Sequence, residues 1–73
     1  MEFFSEFNGE HGPERAIVGD YDKAVKSVVD RILSTTAMTR NQLRVCHGAD
    51  GHATVCTRGN GYVWGMIDPI PAE

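Results

Sequence analysis

Tyr21, Ala24, Val25, Val28, Val29, Ile32 and Leu33 recur at three- and four-residue spacing, with Lys23, Lys26, Asp30 and Arg31 between them. That spacing predicts an amphipathic helix with one core-facing stripe. Asp20 is placed as its N-cap and Asp22 complements the first-turn dipole, whereas Ser34, Thr35 and Thr36 weaken continuation. The helix is therefore expected over about 21–35.

Downstream the period changes to two. LRVCH and HATVCTR flank Gly48-Ala49-Asp50-Gly51, and a three-residue loop with Gly51 at a left-handed bulge position puts Leu43, Val45, Ala53 and Val55 on one face. Asn60-Gly61 is a strong hairpin signal, and a two-residue type I′ loop there adds Tyr62, Trp64 and Met66 to that face. Arg44, Cys46, His52, Thr54, Cys56, Arg58, Val63 and Ile67 then fall on the opposite face. The meander is expected over about 42–67, followed by a proline-containing tail over 68–73 that cannot continue a ladder.

The first 19 residues are less periodic. Phe3, Phe4 and Phe7 fit a strand or a short helix, NGEHGP is turn-rich, and Ala16, Ile17 and Val18 read as a short strand. The expected fold is α+β in the order ββαβββ, with the first pair extending or partly covering the sheet. A disordered N-terminus packed through its phenylalanines is the alternative.

Seventy-three residues allow one thin core and a single domain over 1–73. Hydrophobic residues at 41% and charged residues at 23% fit a folded globular chain. No run reaches the roughly 18 apolar residues of a membrane span, and MEFFSEFNGE lacks a signal peptide's basic and apolar regions. A cytoplasmic location is expected, with no membrane partner. The net charge is -3, with four basic and seven acidic side chains in residues 1–38 and three of each in 39–73. Glu2, Glu6, Glu10 and Glu14 read as a solvated acidic edge. Arg40, Arg44 and Arg58 are few against the roughly 6–10 phosphate contacts that useful duplex affinity draws on, so direct nucleic-acid binding is not favoured.

CHGADGHATVC gathers Cys46, His47, His52 and Cys56, which invites a zinc reading. In the register above His47 faces away from the other three, leaving fewer ligands than a structural zinc needs. Cys46 and Cys56 become diagonal neighbours roughly 7–8 Å apart, too far for a comfortable disulfide, so two free thiols are expected. His47 cannot readily activate Cys46, because adjacent strand residues face opposite sides. No phosphate loop, nucleophile elbow or dinucleotide fingerprint occurs. The expectation is a non-enzymatic chain with no metal and no cofactor.

TRNQLRVCHGADGHATVCTRGNGYVW resembles a winged-helix DNA-binding segment, with Thr39 as N-cap, Leu43 and Val55 as core positions, Gly48 as turn glycine and the Asn60-Gly61 hairpin as wing. The resemblance implies a helix over 39–46 and a transcription regulator. It departs from the pattern at Arg44 and His47, where that family buries small or aliphatic side chains, and at Gly51, which weakens a recognition helix.

Arg44, Arg58 and Tyr62, with Val63 and Ile67, make a candidate protein-binding patch, since arginine and aromatics are enriched at interfaces. The alternative is that the N-terminal segment covers Val63 and Ile67. Glu6 and Phe7, near the first turn, are further candidate contacts. In size and acidic character the chain resembles small bacteriophage host-takeover proteins, including inhibitors of host RNA polymerase. That resemblance rests on no motif. It implies a monomeric regulator acting in the host cytoplasm on a larger host protein or complex, with polymerase as the target.

Overall fold

The computed structural model describes residues 2–9 and 12–71. Glu10 and His11 of the expected first turn, and Ala72 and Glu73 of the tail, lie outside them.

The architecture is α+β in the order ββαβββ: β1 (Phe3–Gly9), β2 (Gly12–Val18), α1 (Tyr21–Thr35), β3 (Leu43–His47), β4 (Ala53–Thr57) and β5 (Val63–Pro69). Short 3-10 turns occupy Arg40–Gln42 and Ala49–Gly51. The five strands form one antiparallel sheet in the spatial order β2-β1-β5-β4-β3. The N-terminal hairpin thus extends the sheet through β1 against β5, and does not fold over its second face. No helix among the described residues is long and apolar enough to cross a membrane.

Local chemistry sets the bounds of α1. The Asp20 carboxylate accepts from the Asp22 and Lys23 amides at 2.8 and 3.3 Å, satisfying two of the helix's unpaired N–H groups. At the other end the Ser34 and Thr35 hydroxyls donate back to the Arg31 carbonyl, and Thr36 donates to that of Ile32. Such back-bonding competes with helix continuation. Ala24, Val28, Val29 and Ile32 are buried against Phe3, Phe7, Leu43, Ala53, Val55 and Ile67. Pairing along β1 places Phe3, Ser5 and Phe7 on this covered face, opposite Pro69, Ile67 and Gly65 of β5.

The Ala49–Gly51 turn has the expected register, pairing Val45 with Val55 and Leu43 with Thr57. Left-handed backbone begins one residue early, at Asp50 (φ 57°), and continues at Gly51 (φ 83°). The second turn differs from the two-residue loop expected. Thr57 N–H bonds to Tyr62 C=O at 2.9 Å, so the loop holds four residues, Arg58 to Gly61. The ladder then slips: Cys56 pairs with Val63 but Val55 pairs with Gly65, leaving Trp64 as the extra residue of a bulge. Consequently Ile67, expected on the second face, is fully buried in the core, whereas Met66, expected in the core, is 37% exposed on the second face. Trp64 keeps its core-ward side because a bulge turns two successive side chains the same way, and its Nε1 donates to Thr57 Oγ1 at 2.7 Å.

Residues 43–47 are a strand, which removes the winged-helix reading. The start signal at Thr39 is nonetheless used: its amide donates to Gln42 Oε1 at 2.8 Å, but the turn ends at Gln42, where the β-rich LRVCH segment joins the sheet. β5 runs on to Pro69 opposite Phe3, and Ile70 N–H then bonds to Glu2 C=O.

Candidate interaction surface

Since α1 covers one face, the opposite face of the sheet is left to solvent. Register assigns its side chains. One row crosses all five strands as Arg15, Glu6, Met66, Thr54 and Cys46, and beside it run Ile17, Phe4 and Asp68. Ile17, Val63 and Met66 are among the exposed large hydrophobic residues, Ile17 at 60%.

Polar groups on this face are tied to one another. Arg15 reaches Glu6 at 3.1 Å while its guanidinium lies 4.8 Å from the centre of the Phe4 ring. His52 Nδ1 lies 2.9 Å from Asp68 Oδ1. The exposed Arg15–Glu6 ion pair contributes about 0–1 kcal/mol, so it orders the surface more than it holds the fold. Cys46 and Cys56 are free thiols, half-buried on the same face. Burial pushes the Cys56 thiol up from its ordinary value, hydrogen bonding and charge from Cys46 add to the shift, and Arg44 opposes it. His47, on the covered face, instead meets the Tyr21 hydroxyl at 2.6 Å. The Cys/His cluster is therefore divided between faces, and no three or more His, Cys, Asp or Glu among the described residues form a metal-binding group.

The five candidate contact residues do not share one surface. Arg44 and Glu6 stand on the open face, on β3 and β1, with two strands between them. Arg58 bends to donate from Nε to the Leu43 carbonyl at 3.2 Å, so it caps the β3 end. Tyr62 is 53% exposed but stacks edge-on against Trp64 at the far turn, centroids 4.9 Å apart. Phe7 is a correction: at 6% exposure it is a core residue beneath α1, because strand alternation pairs it with Phe3.

Phe4, Ile17 and Met66 were not among the candidates. Alternation along FFSEFNG separates Phe4 from Phe3 and Phe7, which was the available signal for Phe4. Met66 was hidden by the slipped register. A separate groove lies between α1 and β2, floored by Phe7, Ala16 and Val28, and Arg31 meets Glu14 beside it through two 2.7 Å bonds. No protein-family model, curated protein or solved structure matches the chain.

Proposed function

We propose that this chain is a small non-enzymatic regulator that acts by binding a larger protein through the open face of its sheet, with bacterial RNA polymerase as the target. The observation that carries the binding reading is the uncovered face itself: Phe4, Ile17, Val63 and Met66 lie among paired polar side chains where an antiparallel sheet facing water usually shows polar residues. A contact patch of this make-up suits a protein partner, which covers apolar side chains and meets the charges at its rim. Polymerase as target, and a phage-type inhibitory role, are supported by size, acidic balance and the resemblance that these suggest.

The test uses purified bacterial RNA polymerase holoenzyme and promoter-dependent transcription. Stoichiometric binding and inhibition are expected, with Ile17→Asp and Met66→Glu together weakening binding about tenfold or more, the scale of losing one or two interface contacts. Both side chains are exposed, so a thermal melt close to that of the original chain accompanies the loss. Absence of polymerase binding at micromolar concentration overturns the target. Full binding by the double variant overturns the face.

A further inference from the structure

Cys46 on β3 and Cys56 on β4 project from the open face as diagonal neighbours, because Cys46 pairs with Thr54 while Cys56 pairs with Arg44. Two backbone bonds fix the phase of this ladder: Gly48 N–H to His52 C=O and Arg58 N–H to Gln42 C=O, both 2.8 Å. The even-numbered rungs of β3, those of Arg44 and Cys46 included, are therefore the wide, hydrogen-bonded pairs. A diagonal across such rungs spans about 7–8 Å between Cα atoms. That exceeds the roughly 6.8 Å limit of a disulfide, whose sulfurs must close to about 2.05 Å.

An ion between the sulfurs changes the requirement. Two metal–sulfur bonds of about 2.3 Å hold sulfurs as much as about 4.6 Å apart, more than twice the disulfide spacing. The diagonal that forbids the covalent bond thus accommodates a two-coordinate bridge. Arg44 stands beside Cys56 and offsets the negative charge of a pair of thiolates. Met66 is farther off, two strands from Cys46 in the same cross-strand row with Thr54 between them, so the two sulfurs of β3 and β4 are the donor set. His52 is engaged with Asp68.

Ligand number selects the ion. Structural zinc takes four nitrogen or sulfur ligands, and calcium and magnesium take oxygen, whereas a pair of soft thiolates suits Cu(I). We propose that Cys46 and Cys56 bind one Cu(I) ion between them. Binding forms two Cu–S bonds and releases the two thiol protons to solvent, with no change in the oxidation state of copper or sulfur. It is independent of the docking reading, because it requires no protein partner.

The test is anaerobic titration of the whole chain with Cu(I) in competition with bicinchoninate. One ion per chain is expected, with two protons released in weakly buffered solution and Cu–S scattering in X-ray absorption. Cys46→Ser and Cys56→Ser should each weaken binding by about 100-fold or more, since this ion selects soft thiolate donors, whereas Met66→Leu should leave binding unchanged. Melting curves separate loss of the site from loss of the fold. No competition with the chelator, one ion shared by two chains, or single-cysteine variants that match the original chain would each overturn the proposal.

Discussion

The turn at Ala49–Gly51 and the loop at Arg58–Gly61 both join neighbouring antiparallel strands, yet only the first transmits an unbroken ladder. Around the first, every rung from His47 with Ala53 to Leu43 with Thr57 stays in step. Around the second, the four-residue loop closes on Thr57 and Tyr62, and the ladder then absorbs Trp64 as a bulge before continuing. The first turn takes left-handed backbone at two adjacent residues, Asp50 and Gly51, while the second takes it at Gly59 and Gly61 with Asn60 between. Asn60 accepts the Tyr62 amide at 3.0 Å, so it supports the longer loop that it was expected to shorten. One tight loop and one loop-plus-bulge build the same sheet, and the second alone decides which residues of β5 reach the core.

The sharpest way to break this comparison is to remove the side chain that each register would bury. Ile67→Ala is expected to cost about 2–5 kcal/mol, the range for truncating a fully buried aliphatic residue. Met66→Ala should cost less than about 1 kcal/mol, as at exposed positions. Urea denaturation of the two variants decides the matter. A larger loss at Met66 than at Ile67 would restore the two-residue loop and its register.

The same slip puts Gly65 beneath the helix, opposite Val55 and Phe7. A Cβ there would stand 2.5 Å from Val28 Cγ1 and 2.6 Å from the Glu6 carbonyl oxygen, and neither a valine branch nor a backbone atom can swing away. Gly65→Ala is therefore expected to destabilise by about 1–3 kcal/mol, as overpacking does. Val28→Ala in the Gly65→Ala background should cost less than Val28→Ala alone, because one of the two clashes disappears. Strict additivity in this double-mutant cycle would show that α1 does not press on β5 at this point.

These differences track what was legible in the residues. The helix, its Asp20 cap and its hydroxyl-rich end rest on contacts within a few positions of one another, and all are readable from spacing. The first turn is readable for the same reason. The place of β1 is not, because its pairing with β5 joins residues at opposite ends of the chain and no local preference encodes that neighbour. Phe7 could not be assigned to the core until Gly65 and Ile67 were known to lie beside its strand. The open face was half legible: Arg44, Cys46, His52, Thr54 and Cys56 follow from the first turn, whereas Phe4, Ile17 and Met66 depend on the long-range pairing and the bulge.

The smallest expected effect tests why the first turn keeps its register. Gly51 and Gly59 share nearly the same left-handed φ, 83° and 89°, so an alanine at either pays the strain of that conformation, of order 1 kcal/mol. Their surroundings differ. A Cβ at Gly51 would stand 2.9 Å from Cε2 of Phe3, a core residue, while one at Gly59 meets nothing within 4 Å. Gly51→Ala must therefore displace the Phe3 ring as well, and is expected to exceed Gly59→Ala by about 1 kcal/mol, a modest overpacking cost. Part of the first turn's fidelity then comes from packing against β1, a support that the second loop lacks. Equal losses would assign the unbroken ladder to backbone conformation alone, and amide exchange at His47 and Ala53 would then be no more perturbed by Gly51→Ala than exchange at Cys56 and Val63 is by Gly59→Ala.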